Sequence, residues 1–301
     1  MKIVVTGATG FIGRSLTEAL TKRGNEIIIL SRRTISASDN SKIRYVRWNP
    51  EDSSSIVSEI DGIDAVINLA GEPIVGKRWS QKQKGKILSS RVNATQIIAN
   101  SIRKAVNKPK VLINASAVGF YGSRQNELLA EDARSGDGFL AETCKAWEAH
   151  AIRVKDFDVR VVWLRTGIVL DKSGGALKMM LPPFKMFLGG WLGNGNQWMS
   201  WIAREDLIRL ILFCLDHPAA KGPINAVAPQ PVTNKAFSFV LAQVLKRPCL
   251  MPVPAFALKI LLGEMSEMLL TGQRVIPQKA GELGFSFHYP EIRHALETIL
   301  R

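Results

Sequence analysis

The first thirteen residues, MKIVVTGATGFIG, constrain the fold more than any other stretch of the chain. Lys2 to Thr6 is a short, mainly apolar run rich in β-branched residues, which is typical of a buried parallel strand. The run leads directly into Gly7, Gly10 and Gly13, and apolar residues then recur with helical spacing. A strand, a glycine-rich turn and a helix in this order predict a site for a phosphate group.

Each glycine of this turn has a separate physical role. Gly7 permits the tight turn, Gly10 lets backbone N–H groups approach a diphosphate, and Gly13 lets the helix pack against the strand. The helix that begins near Phe11 and Ile12 presents unpaired N–H donors and a partial positive charge to the anion. The alternative, a glycine turn that binds nothing, fits a strand–turn–helix context poorly.

The length of 301 residues suits one large α/β domain, alone or with a smaller lobe. The start of the chain lacks the pattern of a cleavable signal, and the apolar stretch 252–270 is interrupted by charges, so we expect no membrane partner. Three scattered cysteines and four histidines predict neither disulfides nor a metal site. A reducing, cytoplasmic compartment is therefore expected.

The chain has a net charge of +14. Its basic residues are densest between residues 76 and 110, which contain ten Lys or Arg and no Asp or Glu. A nucleic-acid site would interleave these charges with aromatic residues, but only Trp79 is present. A solvated helix face that attracts an anionic ligand explains the pattern more simply. Nucleic acid is therefore not an expected partner.

The end of the second predicted strand, Glu26–Ser31, indicates which dinucleotide fits the glycine turn. Sites that prefer NAD usually carry an acid about 20 residues after the turn, where it bonds the ribose 2′-hydroxyl. Here Ser31, Arg32 and Arg33 occupy that place, and no acid follows until Asp39. A guanidinium group binds the 2′-phosphate that a carboxylate would repel. Ser31 and Arg32 therefore predict NADP(H), with Arg33 either beside them or in solvent.

A fourth predicted strand, Ala65–Leu69, ends in Ala70-Gly71-Glu72. In an open parallel sheet, ligands bind beyond the carboxyl ends of the strands, so Leu69, Ala70, Gly71 and Glu72 should border the dinucleotide. Glu72 has three possible roles, since it could bond a ribose hydroxyl, reach a substrate or cap the next loop.

Several further motifs, INLAGEPI, SAVGFYG, LRTGIVL and TGQRVIP, accompany TGATGFIG over nearly the whole chain. Together they resemble the epimerase family proteins, an atypical group of the extended short-chain dehydrogenases/reductases, some of which are labelled cell-division inhibitor-like. The resemblance implies an α/β fold: a doubly wound parallel Rossmann sheet over residues 1–228 and a smaller, mostly helical substrate lobe over residues 229–301. Glycines and prolines predict irregular structure for residues 174–205, covering the cleft.

The resemblance also implies cofactor contacts outside the glycines. It places Thr9, Phe11 and Ile12 at the diphosphate, and Gly167 and Val169 beside the nicotinamide.

Arg91 lies on a helix predicted for residues 80–106, where members of the extended family commonly carry an Asn near the cofactor. It could hold a diphosphate or a ribose, or it could form an ordinary surface ion pair.

The catalytic hydroxyl of the family is displaced in this chain. Counted back from Tyr121, it falls on Ala117, and Ser116 is one residue earlier. On a strand, one residue turns a side chain to the other face. Ser116 and Tyr121 are nevertheless the predicted groups that bond the reacting oxygen.

The YxxxK pair of the family, in which a lysine lowers the pKa of a tyrosine, lacks its tyrosine. Lys145 could supply the lysine, but Ala141 stands four residues earlier. Lys145 and Glu142 are predicted to manage protons. The alternative for both is a solvated helix face.

The sequence thus favours an NADP-binding oxidoreductase or a nucleotide-sugar-type epimerase with a small-molecule substrate. The alternative is a non-catalytic NADPH-binding regulatory protein, linked through its relatives to cell division. The sequence does not define the oligomeric state, and a homodimer is compatible with it.

Overall fold

The computed structural model describes residues 1–32, 41–48, 50 and 56–301. Its strands are β1 Lys2–Thr6, β2 Glu26–Ser31, β3 Ile43–Arg47, β4 Ala65–Asn68, β5 Val111–Ala117, β6 Leu128–Leu129, β7 Arg160–Thr166, β8 Ile168–Asp171, β9 Trp198–Met199, β10 Trp201–Ala203, β11 Gly222–Ala226, β12 Val232–Thr233 and β13 Arg274–Val275. Its α-helices are α1 Phe11–Lys22, α2 Val57–Ile60, α3 Gln81–Lys104, α4 Phe139–Ala151, α5 Gly175–Lys185, α6 Arg204–Asp216, α7 Asn234–Leu245, α8 Ala255–Leu262, α9 Glu267–Leu270, α10 Gln278–Glu282 and α11 Ile292–Leu300.

Seven of the strands form one parallel sheet in the order β11-β7-β5-β4-β1-β2-β3. The chain starts near the middle of the sheet, proceeds to one edge, and returns to build the other half. This is the doubly wound α/β fold that the sequence predicted. The carboxyl ends of β1 and its neighbours β2 and β4 therefore lie at one edge, where a ligand can bind.

Apolar residues cover both faces of the sheet, as a parallel sheet between helices requires. Val5 packs with Leu16 of α1 and Ile211 of α6 on one face. The neighbouring residue, Val4, packs with Ile98 of α3 on the other face. Successive residues of β1 thus serve two separate cores, which explains why its apolar run is continuous rather than alternating.

The prediction of irregular structure for residues 174–205 is wrong at α5. This helix includes Pro182 and Pro183 in its last turns. Leu177, Leu181 and Phe184 are buried at helical spacing along one face. Their packing outweighs the local cost of the prolines, which lie on the exposed side.

The C-terminal helices share a core with the segment that precedes them. Phe237 of α7 and Leu296 of α11 pack with Leu177 of α5 and Trp201 of β10. The mostly helical character of residues 229–301 is as predicted, whereas the division of the chain at residue 228 stays a prediction. No helix in the described part of the chain is both long and apolar enough to cross a bilayer.

Candidate functional site

Asn68, the last residue of β4, ties three strands together where they end. Its side-chain oxygen accepts a hydrogen bond from the Thr6 hydroxyl at 2.6 Å, and its amide donates to Asn114 at 2.6 Å. The same amide donates to Thr95 at 2.9 Å, and the Thr95 hydroxyl accepts from the Trp147 indole at 2.9 Å. All five side chains are buried. This satisfied network fixes the relative positions of β1, β4 and β5 at the floor of the site.

The turn after β1 brings backbone against backbone. Gly7 has a φ angle of +70°, and a Cβ on it would lie 2.6 Å from the Leu69 carbonyl oxygen. A Cβ on Gly13 would lie 2.2 Å from the Gly7 carbonyl oxygen, and one on Gly10 would lie 3.2 Å from that oxygen. These contacts are the ones expected of a glycine cradle that a dinucleotide approaches closely. Ala70, which follows Leu69, is half-buried and packs against one of the sheet cores.

The N-terminus of α1 is open for an anion. Gly10 precedes the helix, no side chain caps it, and its first turn contains no acid. Thr9 is exposed, and its carbonyl oxygen accepts a hydrogen bond from the Arg14 side chain at 2.9 Å. Ile12 packs against the sheet core and holds the helix in place. The unpaired N–H groups and the helix dipole therefore favour a phosphate at this point.

Phe11 connects the glycine turn with the start of α5. A Cβ on Gly174 would lie 2.4 Å from the Phe11 ring, and the Arg204 guanidinium lies 5.2 Å from the ring centre. Arg204 also pairs with Asp171 at 2.9 Å. The Phe11 side chain therefore forms part of the wall on this side of the site.

Gly167 and Val169 follow the carboxyl end of β7. A Cβ on Gly167 would lie 2.3 Å from the Ser200 carbonyl oxygen, so only glycine fits there. Val169 pairs with Ile202 in the parallel ladder of β8 and β10. Both residues therefore lie beyond the sheet edge, and their close packing shapes the backbone there. Their place beside the nicotinamide stays a prediction.

Ser31 and Arg32 end β2, next to the glycine turn in the sheet. Arg32 is exposed, whereas Ser31 is half-buried. Glu72 faces the same region: Lys77, at 3.2 Å, lowers the pKa of the Glu72 carboxyl, and the charge of Arg32 acts in the same direction. Arg32 is thus close enough for its charge to act on Glu72, and its contact with a phosphate stays a prediction. Arg33 and Asp39 lie outside the described residues.

Arg91 lies inside the cleft wall rather than on the surface. Its side chain donates hydrogen bonds to the carbonyl oxygens of Glu72 and Ile87, both at 2.9 Å. Its guanidinium lies 5.0 Å from the centre of the Trp147 ring, and a Cβ on Gly71 would lie 3.1 Å from its Cζ. Burial lowers the pKa of Arg91. The surface ion pair considered for Arg91 is therefore wrong, since its hydrogen bonds go to backbone carbonyls.

Tyr121 does not face the cleft. It has no exposed surface, and its hydroxyl donates to Asn225 at 2.7 Å and accepts from Arg165 at 2.9 Å. Burial raises the pKa of the Tyr121 phenol, although the nearby Arg165 acts in the opposite direction. This placement fits a structural residue better than the predicted contact with a reacting oxygen.

The Ser116 side chain belongs to a buried network around an ion pair. Its hydroxyl donates to Glu148 at 2.6 Å, and the Glu148 carboxylate accepts two further hydrogen bonds from Arg165, both at 2.9 Å. Arg165 is buried and lies 3.5 Å from the centre of the Phe120 ring. The two-point contact holds the carboxylate in one orientation. Ser116 is therefore a hydroxyl whose own proton already points at a fixed acceptor.

The two side chains of α4 that face the turn after β5 are not the ones that the sequence suggested. A Cβ on Gly119 would lie 3.2 Å from Leu140 Cβ and 3.9 Å from Cys144 Sγ. Lys145, 100° further around the helix, pairs with the exposed Glu142. The structure does not bring Lys145 and Glu142 to Ser116, so their placement does not fit the predicted proton transfer. Leu140 and Cys144, four residues apart, occupy the face of α4 that meets the turn after β5.

Cys144 cannot replace the missing acid and base groups at neutral pH. Burial raises the pKa of its thiol to about 11, and the Glu148 carboxylate acts in the same direction. A protonated, buried thiol is a poor nucleophile and a poor base. The i,i+4 pair that faces the turn after β5 is therefore chemically inert.

Sequence reasoning missed Arg165, Asn225 and Glu131. The Glu131 carboxylate accepts hydrogen bonds from the backbone N–H groups of Asn225 at 2.9 Å and Lys279 at 3.2 Å. One signal for Arg165 was available, because a charged residue that follows an apolar run within a parallel strand requires a buried partner. The network of Arg165, Asn225 and Glu131 links the site to the segment around α10.

The helical lobe contributes a cavity of about 750 Å³, lined in part by Asn194, Lys259, Glu267 and Thr271. The lobe contacts the segment after β4 nearby, where the Arg78 side chain donates to the Ile260 carbonyl oxygen at 3.0 Å. The cavity is large enough for a small molecule.

Two family profiles match the chain. The profile described as the NAD dependent epimerase/dehydratase family covers residues 3–227, and a domain of unknown function (DUF1731) covers residues 253–299. Epimerase family protein YfhF of Bacillus subtilis is 41% identical over 301 residues, which are 100% of this chain and 98% of that protein.

Two solved structures have the same fold. Human epimerase family protein SDR39U1, whose structure was determined with NADPH, is 33% identical with a TM-score of 0.90, and the match covers 99% of both chains. A nucleoside-diphosphate sugar epimerase from Corynebacterium glutamicum is 31% identical with a TM-score of 0.75, and the match covers 100% of this chain and 58% of that longer one.

Substitution of Gly13 by Ala tests the close contact at the glycine turn. The added methyl group overlaps the Gly7 carbonyl, so Gly13→Ala should lower the free energy of unfolding by about 2 kcal/mol, as overpacking does. Gly85→Ala is the matched control, because Gly85 lies in α3 with no atom within 4 Å of an added Cβ. It should raise the stability by about 0.5–1 kcal/mol. Urea unfolding measures both, and equal effects would contradict the close contact.

The raised pKa values of the buried thiols predict that a thiol reagent labels the three cysteines selectively. Burial raises the pKa of Cys144 to about 11 and that of Cys214 to about 12, whereas Cys249 is only partly buried. Since the thiolate is the reactive form, a thiol reagent at neutral pH should modify Cys249 first and the other two only after unfolding. Cys249→Ser should abolish the fast phase. Rapid modification of Cys144 in the native protein, detected by mass spectrometry, would show that its thiol is accessible and ionised.

Proposed function

The chain belongs to the NAD dependent epimerase/dehydratase family, and on that basis we propose that it is an NADP(H)-dependent oxidoreductase with a small-molecule substrate. The observation that carries the proposal is the glycine cradle, in which Gly7 and Gly13 leave no space for a side chain next to the open end of α1. A diphosphate fits this cradle because it needs close backbone approach and unpaired N–H donors. The NADPH in the structure of the human relative supports the choice of ligand.

The other proposed contacts with the dinucleotide come from residues at the same edge of the sheet. Arg32 and Ser31 would bind the 2′-phosphate, which favours NADPH over NADH. Gly71 and Arg91 would border the ribose and diphosphate from the β4 side, and Gly167 and Val169 would border the nicotinamide. When bound, NADPH supplies a hydride for reduction of a carbonyl group.

Ser116 and Glu148 are the groups that best fit proton transfer. The Ser116 hydroxyl is hydrogen-bonded to Glu148, so in carbonyl reduction it would donate its proton to the reduced oxygen while a proton from the Glu148 carboxyl replaces it. Alcohol oxidation would run the same transfer in reverse. Arg165 holds Glu148 in position through two hydrogen bonds. This relay would replace the tyrosine and lysine that Leu140 and Cys144 exclude.

Nucleotide-sugar epimerisation is a narrower form of this proposal. It is supported by the name of the Corynebacterium glutamicum relative and by the cavity in the helical lobe. Such a reaction must first remove a hydroxyl proton, so it would depend entirely on the relay from Ser116.

A second candidate is an NADPH-binding protein without turnover, whose loaded form signals to a partner. The observation that favours it is the pair Leu140 and Cys144, which places two unreactive side chains where the family usually has its acid and base. A regulatory role would need the cradle but not the relay.

Replacement of Arg32 tests the choice of dinucleotide. Arg32→Gln should weaken NADPH binding about 10- to 100-fold, since a charge-assisted hydrogen bond is lost, and should leave NADH binding unchanged. Calorimetry measures both ligands. Arg103→Gln is the control, because Arg103 is exposed in the last turn of α3, remote from the carboxyl edge of the sheet. An equal loss of affinity for NADPH and NADH would show that Arg32 does not bind the 2′-phosphate.

A turnover assay separates the two functions. Oxidation of NADPH is followed by its absorbance with a panel of aldehydes, ketones and nucleotide sugars. The oxidoreductase should turn over at least one of them, and Ser116→Ala should lower its rate about 10²- to 10⁴-fold while calorimetry shows unchanged NADPH affinity. Lys145→Ala is the control and should leave the rate within a factor of two. Tight NADPH binding without turnover of any compound would reject the oxidoreductase and leave the binding protein.

A further inference from the structure

Large apolar side chains are exposed at the outer surface of the helical lobe. Phe187 and Leu188 follow α5, and Leu250 and Met251 lie between α7 and α8; each is between 58% and 75% exposed. The two segments are adjacent, because the Leu250 N–H donates to the Gly189 carbonyl oxygen at 3.3 Å. Single exposed apolar residues are ordinary, but a contiguous group marks an interaction site.

Helix α8 extends the same surface. Phe256, Ile260 and Leu261 are each at least 68% exposed, and the spacing of four residues places Phe256 and Ile260 on one side of the helix. Leu258 is buried and holds the helix against the lobe. Phe187, Leu188, Leu250, Met251, Phe256, Ile260 and Leu261 together are called the apolar face below.

The segments that supply the apolar face carry only positive charges. Residues 172–204 and 217–263, which supply all of it, contain no Asp or Glu. Lys185, Lys246, Arg247 and Lys259 are exposed there, and the Arg247 guanidinium lies 4.6 Å from the centre of the Phe187 ring. The next acids along the chain, Glu264 and Glu267, are exposed and line the same cavity as Lys259, and Glu264 also pairs with Lys84 of α3. A partner for this face must therefore bury apolar groups and tolerate or attract cations.

A second copy of the chain meets these requirements poorly. A symmetric dimer through this face would bring the same cations together, which is unfavourable without acidic partners. An anionic bilayer meets both requirements, because its interior accepts apolar side chains and its headgroups attract lysine and arginine.

We propose that the apolar face docks on an anionic lipid bilayer. The apolar side chains enter the boundary between headgroups and acyl chains, and Lys185, Lys246, Arg247 and Lys259 lie among the phosphates. The proposal departs from the expectation of no membrane partner, which was based on the lack of a segment that could cross a bilayer, because this face would lie on the bilayer. The inference is independent of the dinucleotide site, since it uses none of the dinucleotide-binding residues; among the residues of the face, Lys259 also lines the cavity of the helical lobe.

The test is sedimentation of the full-length chain with vesicles of phosphatidylcholine, alone or mixed with phosphatidylglycerol. Binding should require phosphatidylglycerol and should weaken as salt is added. The double variant Phe256→Ser/Ile260→Ser should lower the affinity at least about ten-fold, because two apolar side chains no longer enter the bilayer. Replacement of Lys259 by Gln should lower it about five-fold.

Val106→Ser is the matched control, because Val106 is 84% exposed and lies outside the apolar face; it should bind vesicles as the wild type does. Circular dichroism verifies that each variant is folded. Absence of binding to the anionic vesicles, or binding that the double variant retains, would overturn the proposal. A wild-type dimer that the double variant dissociates would also overturn it, by assigning the face to a second copy. NADPH calorimetry on the same samples reports the proposed function separately.

Discussion

The fold depends on the contact between backbone segments at the start of the chain. Gly7 lies against Leu69 at the end of β4, and Gly13 lies against Gly7, with no space for a side chain at either glycine. This close approach brings α1 down onto the sheet and leaves its N-terminus open beside β2 and β4. The phosphate site is therefore a consequence of how β1 and α1 pack and requires no dedicated side chain.

Two buried polar networks stabilise what surrounds this contact. The network at Asn68 joins β1, β4 and β5 to α3, and the one at Glu148 joins α4 to Arg165 of β7. Each polar group in such a network would be costly to bury alone, so the partners must be present together. This requirement fixes the relative positions of the strands and helices more strictly than apolar packing alone would.

The two halves of the site differ in how closely they follow the family. The dinucleotide side retains the glycine turn, the basic residue Arg32 and the small residues after β4. On the other side, the tyrosine of the YxxxK pair is absent, and Leu140 and Cys144 face the turn after β5. Proton transfer, where it occurs, must then use groups from deeper in the fold, such as Ser116 and Glu148.

The sequence by itself determined the strands β1, β2 and β4, the glycine turn and the long helix α3. Each of these follows from local composition and periodicity, which act over a few residues and are visible in the chain. The ranking of Arg32 as a phosphate ligand also came from one local position, the end of β2.

Only the tertiary structure decided which face of α4 meets β5, where Tyr121 points and whether α5 is a helix. The rotation of α4 about its axis is set by contacts with distant residues, namely the Trp147 hydrogen bond to Thr95 and the Glu148 ion pair with Arg165. The prolines of α5 argue locally against a helix, but its buried leucines and Phe184 pack in a core that includes Phe237 and Leu296, more than fifty positions away. Long-range packing and buried charge pairs depend on which distant segments come into contact, and no local pattern in the chain specifies those contacts.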